Sequence, residues 1–162
     1  MNIRNIFLIT ALAFFSLSGN SFSSDVEGLN SKVLEAANAG NIEDMEELLK
    51  KGADINAKNN INFTPLHMAV YNENLNMIKF LLNNGADVNS KDKSNQTPLH
   101  MAAYMNNFDI VALLLHNGAN ITIKNSRNKT AGDLTKKDAI SDLIKKYTPG
   151  LNIKPAQKKK QK

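Results

Sequence analysis

The sequence TPLHMA stands at residues 64–69 and again at residues 97–102, so its two copies begin 33 residues apart (97 less 64). A second motif, GADIN with its variants GADVN and GANIT, recurs at the same interval in three places: 52–56, 85–89 and 118–122. Paired leucines keep this step too, at 48–49, 81–82 and 114–115. Several independent columns with one period predict tandem copies of a single structural unit.

The residues at the start of each copy predict a short first helix. Thr64 and Thr97 are of a type that caps helix N-termini, and the proline that follows each threonine fits the first helical position, where no N–H is needed. Asparagines two residues before these threonines, and at the same place in the next copy, are expected to take positive φ in a tight turn: Asn62, Asn95 and Asn128.

A second helix is predicted behind the first in each copy. Three asparagines spaced by 33 residues are suited to be its N-cap: Asn41, Asn74 and Asn107. Apolar residues then recur at helical spacing over three predicted helices: 42–50, 75–83 and 108–117. Glycines end them, because glycine accepts the left-handed conformation: Gly52, Gly85 and Gly118.

This unit resembles the ankyrin repeat, whose period of 33 residues carries Thr-Pro-Leu-His-x-Ala. The resemblance implies an all-α solenoid of about four helix-turn-helix units with protruding hairpin loops. The repeat domain is expected over 29–148, with units at about 29–61, 62–94, 95–127 and 128–147. The first and last units depart from the motif, with SKVL at 31–34 and TAGD at 130–133. Terminal units of a solenoid are expected to be atypical, because one of their faces meets water.

The N-terminal residues 1–23 read as a secretory signal peptide. One arginine, an apolar run over 6–17 and then small residues up to Ser23 follow the usual order of such a peptide. The alternative is an uncleaved membrane anchor, but the run is shorter than the roughly 20 residues that span a bilayer. We therefore expect cleavage near Ser23, a short linker at 24–28, and a periplasmic or secreted protein.

Four Asn-x-Thr sequences bear on the compartment. They begin at residues 62, 95, 120 and 128, three of them in the predicted turns. Glycans at these asparagines would crowd the hairpins, which argues against a eukaryotic secretory pathway. Abundant asparagine, lysine and isoleucine also suit a low-GC genome. The sequence therefore favours a bacterial exported protein.

Charge is divided unevenly along the chain, which has a formal net charge of +5. Residues 24–135 sum to −3, whereas residues 136–162 sum to +7. Residues 149–162 contain almost nothing that could be buried, so they are predicted to form a disordered basic tail. A solubilising tail is one interpretation; an electrostatic tether with weak contact to anionic envelope or membrane surfaces is the other. No aromatics or arginines are interleaved with the tail lysines, so nucleic acid is not an expected partner.

An enzyme is the weakest class for this composition. The chain has no cysteine and only 6% aromatic residues, which excludes thiolate chemistry and disfavours an aromatic-lined pocket. Phosphate-loop, His-Glu-x-x-His and Gly-x-Ser-x-Gly motifs do not occur in the sequence. His67 and His100 stand inside the repeat motif, where the imidazole is expected to tie the turn to neighbouring backbone. We predict no catalytic residue, metal or cofactor.

The resemblance implies where a protein partner would bind: at the hairpin tips and at the exposed end of each first helix. The tip positions are Ile61, Phe63, Lys93, Gln96, Arg127 and Lys129, and the helix-end positions are Tyr71, Asn72, Tyr104 and Met105. Tyrosine is enriched among binding hot spots, and Tyr71 and Tyr104 are expected to be neighbours on the concave face. The alternative is that tyrosine only covers the groove. The sequence thus predicts a monomeric protein–protein interaction module.

Overall fold

A computed structural model of the protein describes residues 22–147. This part of the chain contains seven α-helices and one 3₁₀-helix at Ala131–Asp133, and no strand. The α-helices are α1 Phe22–Ala39, α2 Ile42–Lys50, α3 Pro65–Tyr71, α4 Leu75–Asn83, α5 Pro98–Tyr104, α6 Phe108–His116 and α7 Asp138–Lys146. The fold is therefore the all-α arrangement that the sequence predicts.

The helices form four successive pairs, of which the last joins the 3₁₀-helix to α7. The first helices pack on one another in a row, α1 on α3, α3 on α5, and α5 on the 3₁₀-helix. Each pair is also packed within itself, and α6 contacts α7 at the C-terminal end. No helix within residues 22–147 has the length and the apolar content needed to cross a bilayer.

The predicted helix caps are confirmed. The side chains of Thr64 and Thr97 accept hydrogen bonds from the third helical N–H of α3 and α5, with proline next to each. Asparagines do the same for the second helices, at Asn41, Asn74 and Asn107. Positive φ occurs at the predicted turn asparagines, 62° at Asn62, 56° at Asn95 and 57° at Asn128. Helix α6 ends at His116, one residue before the predicted end, because Asn117 is its C-cap.

The core lies between the helix rows and is continuous through the four pairs. Its largest fully buried side chains are the aliphatic residues and methionines of the repeat columns: Met45, Leu66, Met77, Ile78, Leu81, Leu99, Ile110, Leu114, Leu115, Ile140 and Ile144. Alanines occupy the buried positions where first helices approach one another: Ala69, Ala102, Ala103 and Ala131. Small residues there allow close packing of the helix row, which fixes the spacing of the hairpins that the helices carry.

The predicted linker at 24–28 lies within α1, which begins at Phe22. No proline interrupts this stretch, and each residue added to an existing helix gains a backbone hydrogen bond, so α1 extends beyond the repeat unit. The predicted signal peptide, apart from its last two residues, lies outside the described residues, and so does the predicted basic tail at 149–162.

Candidate functional site

Two tyrosines end the first helices of the internal units. Tyr71 is the last residue of α3 and Tyr104 is the last residue of α5, and their side chains are 63% and 65% exposed. Since α3 and α5 pack side by side, the two aromatic rings lie at the same end of neighbouring helices. With Ile61, they are the large hydrophobic residues that the described part of the chain leaves exposed.

The residues that follow the two tyrosines are helix C-caps, and they contribute to the fold as well as to the surface. Asn72 is the C-cap of α3, and its side-chain amide donates to the carbonyl oxygen of Asn38 at 2.9 Å and to its Oδ1 at 3.1 Å. Met105 is the C-cap of α5 and is half-buried. Asn72 therefore joins its unit to α1, and a partner would meet chiefly the tyrosines.

At the first hairpin tip, only one of the two predicted apolar contacts is a surface residue. Ile61 is 49% exposed, whereas Phe63 is half-buried. The Phe63 ring stacks on the His67 ring with centroids 5.2 Å apart. The aromatic side chain therefore shields the buried turn, and a sequence motif alone does not show this contact.

The other predicted tip residues lie on the second and third hairpins. Lys93, Arg127 and Lys129 are exposed, and Gln96 is half-buried. Two of them also hold the stack together through their backbone carbonyls, since His67 Nε2 donates to Gln96 O at 3.2 Å and His100 Nε2 donates to Lys129 O at 3.1 Å. Each imidazole thus links its own unit to the hairpin of the next.

The two histidines are structural groups, as the sequence predicts. His67 and His100 are buried, and each completes a capping box with the threonine three residues before it. The backbone N–H of that threonine donates to Nδ1, so the neutral imidazole with its proton on Nε2 fits the turn. Burial lowers the pKa of both imidazoles from the ordinary value, which favours this same neutral form.

Sequence reasoning missed a column of residues that shapes the hairpins. The side-chain Oδ1 of Asn59, Asp92 and Asn125 accepts the backbone N–H groups two and four residues ahead, at 2.7 to 3.1 Å. These residues are spaced by 33 and are of the type that forms such turns, so the period was a usable signal. They hold the tips in one conformation.

A second missed column joins adjacent units. Asn56 Oδ1 accepts the backbone N–H of Asp87 at 2.8 Å, and Asn89 Oδ1 accepts that of Asn120 at 2.7 Å. Backbone bonds between hairpins add to these, from Lys93 N to the carbonyl of Ile61 at 3.0 Å. These hydrogen bonds fix each hairpin to its neighbour.

Comparisons with known proteins agree with this architecture. A family model described as ankyrin repeats, in three copies, matches residues 33–125, more than half of the 162 residues. The human mitochondrial disaggregase is 38% identical over 58 residues, which is 36% of this chain but only 8% of that protein. Ankyrin repeats generally mediate protein–protein interaction and are typically non-enzymatic. By the repeat motif, the helix pairs and the family match together, this chain belongs to the ankyrin repeat family.

Proposed function

We propose that this protein is a monomeric, exported interaction module that binds a protein partner through its hairpin tips and the exposed ends of its first helices. The observation that carries the proposal is the exposure of Tyr71 and Tyr104 on neighbouring helices. Exposed tyrosines are common binding hot spots, because a large ring contributes contact area at small entropic cost. A surface already ordered by inter-unit hydrogen bonds also loses little conformational freedom on binding.

Affinity capture with the full chain as bait tests this surface. The double variant Tyr71→Ala with Tyr104→Ala is expected to weaken capture from an envelope fraction of the source cells by about 2 kcal/mol or more. Its urea unfolding midpoint should stay near the wild-type value, because both rings are exposed. The matched control is Asn76→Ala with Asp109→Ala, which changes two exposed residues of the second helices and should leave capture unchanged. Equal capture by the two double variants would contradict the proposal.

Export is the second part of the proposal, supported by the order of charged, apolar and small residues at 1–23. A cut after Ser23 would remove only the first two residues of α1. Deleting residues 1–23 should keep a folded protein in the cytosol. The mass of the exported protein gives the cut directly, and an intact N-terminus would mean an anchor instead.

The alternative function is an electrostatic tether, favoured by the net charge of +7 over residues 136–162. A variant lacking residues 154–162 distinguishes the electrostatic tether from binding through the tyrosine surface. Binding by a tether should collapse between low and moderate ionic strength, where the Debye length falls to about 10 Å; binding through tyrosines should not. If the tail deletion abolishes capture and the double tyrosine variant is captured normally, the tether replaces the interaction surface as the function.

A further inference from the structure

The edge of the solenoid formed by the three hairpins is strongly basic, although residues 24–135 as a whole are net acidic. We call this surface the hairpin edge and define it as residues 57–64, 90–97 and 123–130. It carries six exposed cations and one carboxylate: Lys58, Lys91, Lys93, Lys124, Arg127 and Lys129, with Asp92. The number of cations rises from one to two to three along the three hairpins.

None of these cations forms an ion pair with a carboxylate of the described residues, although the charge of Lys129 helps to lower the pKa of Asp133. The ion pairs within residues 22–147 join Lys51 to Glu47 and Lys146 to Asp142, away from the hairpin edge. Asp92, the acidic residue of the edge, is buried and occupied by two backbone N–H groups, of Ser94 and Gln96, at 2.7 Å each. The positive field of the second and third hairpins is therefore open to an anionic ligand.

A small cavity of about 200 Å³ lies between the second and third hairpin tips. It is lined by Ser94, Gln96, Asn125, Ser126 and Arg127. The two tips are fixed to each other, because Ser126 N donates to the carbonyl oxygen of Ser94 at 2.9 Å. The cavity is thus a preformed feature of the stack.

One buried donor of a residue that lines this cavity has no acceptor. Asn125 is 6% exposed, and its Oδ1 accepts the N–H groups of Arg127 and Lys129. These two bonds fix the orientation of the amide, and its Nδ2 makes no hydrogen bond with any described residue. A buried N–H₂ without an acceptor costs free energy, which an acceptor that parts the two tips would recover.

The other two hairpins lack this feature, although the same column builds them. In the second hairpin the equivalent residue is Asp92, whose carboxylate accepts the same two backbone hydrogen bonds. A carboxylate has no N–H group, so no donor is left without an acceptor there. In the first hairpin it is Asn59, which is only half-buried, so that water reaches its side chain. The buried, unpaired amide is specific to the third hairpin, where the cations are densest.

We propose that the hairpin edge binds an acidic peptide segment of a protein partner, with one carboxylate in the cavity between the second and third tips. Arg127, whose planar guanidinium suits a carboxylate, pairs with this carboxylate. Asn125 Nδ2 donates to it once the two tips move apart enough to expose this atom. The lysines around the cavity attract the remaining acidic side chains. The inference rests on the proposed interaction function and adds the chemistry of the partner.

A peptide fits this surface better than a nucleic acid or a membrane does. The second and third hairpins contain no aromatic residue on which a base would stack. The cavity lies between two tips, where a single side chain enters it and a flat array of lipid headgroups does not. The positive charge of the hairpin edge and the shape of the cavity therefore both favour an acidic peptide.

The test uses the full-length chain and a fluorescein-labelled poly-glutamate peptide, with a poly-glutamine peptide of equal length as the uncharged control. Binding is followed by fluorescence anisotropy at about 0.15 M salt, where the Debye length is about 8 Å. The variant Asn125→Asp keeps the turn, as Asp92 shows, but replaces the donor with a negative charge. Its matched control is Asn59→Asp, which makes the same change of charge and turn in the first hairpin. Asn59 is only half-buried and lines a different cavity, of about 750 Å³, between that hairpin and α1.

We expect Asn125→Asp to weaken poly-glutamate binding about tenfold or more, and Asn59→Asp to change it less than about twofold. The side-chain amide signals of Asn125 in a proton–nitrogen spectrum should shift on adding the peptide, and those of Asn59 should not. Equal binding by the two variants, or an unmoved Asn125 signal, would overturn the proposal. So would tighter binding to phosphatidylserine vesicles or single-stranded RNA that is insensitive to Asn125→Asp.

The outcomes also separate this inference from the proposed function. If capture of the partner depends on Tyr71 and Tyr104 while poly-glutamate binding is equal in the two asparagine variants, the interaction surface stands and its acidic ligand is wrong. If the tyrosines are dispensable and Asn125→Asp still weakens poly-glutamate binding, the hairpin edge binds acidic peptide without the helix ends.

Discussion

The internal turns and the last turn of the solenoid cap their helices with different residues at the same place. In the internal units a buried histidine, His67 or His100, accepts from the threonine before it and donates to a carbonyl of the next unit. In the last unit Asp133 stands there, accepts from the backbone and hydroxyl of Thr130 at 3.0 and 2.7 Å, and is exposed.

The difference shows that this position in the motif has two roles, capping its own helix and linking to the next unit, and that the last unit keeps only the first. Capping is local, and an exposed carboxylate does it as well as an imidazole. Linking to the next unit requires a buried neutral group that accepts one hydrogen bond and donates another. A neutral imidazole can do both, whereas a carboxylate can only accept. Within residues 22–147 no hairpin follows Asp133 to receive such a bond, and an exposed, charged residue stands at this position.

The largest effect that should distinguish internal from terminal units comes from the core. Leu114 of α6 is fully buried, so Leu114→Ala is expected to cost about 2–5 kcal/mol through lost burial and the cavity left behind. Leu143→Ala in α7 is the matched control, since Leu143 is half-buried and should cost clearly less. Urea unfolding measures both. Equal losses would mean that the last unit is packed as tightly as an internal one.

Exchanging the capping residues tests the comparison itself. His100→Asp would bury a carboxylate and leave the Lys129 carbonyl without its donor, which should cost about 2–4 kcal/mol. The reverse change, Asp133→His, should cost about 1 kcal/mol or less, because that site is exposed. Thermal or urea unfolding of the two variants measures the difference between these two losses of stability. Similar costs would show that the histidines act only as caps.

A smaller effect follows from the pKa values of the internal histidines. Because burial lowers the pKa of His67 and His100, the unfolded chain binds more protons than the folded one once pH falls below the ordinary histidine value of about 6.5. Stability should therefore be full above this pH and decline below it, by up to about 1.4 kcal/mol per histidine for each unit by which its pKa is lowered.

Unfolding midpoints measured between about pH 7.5 and pH 5 test this dependence. The variant His116→Gln is the control, because His116 is exposed at the end of α6 and makes no inter-unit bond among the described residues. It should keep the wild-type slope. A midpoint that is constant over this range, or an imidazole titration of His67 above the ordinary value, would contradict the interpretation.

The candidate site was predicted in part, and the reason differs from residue to residue. Tyr71 and Tyr104 are exposed at the ends of their helices because the period places them there. The half-burial of Phe63 was not predictable from the sequence, because a ring that directly follows the positive-φ residue Asn62 is shielded only when His67 is folded against it. The unpaired amide of Asn125 was not predicted, since its Nδ2 becomes buried without an acceptor only when two neighbouring tips enclose it.

The sequence by itself determined the repeat, the helix caps and the positive-φ turns of this protein. These features depend on hydrogen bonds between residues two to four positions apart, so residue type and spacing are sufficient to indicate them. The tertiary structure alone decided which side chains of the hairpin edge are buried and which donor lacks a partner. Those properties arise between residues about one unit apart, such as Ser126 with Ser94, and they exist only once neighbouring units are stacked.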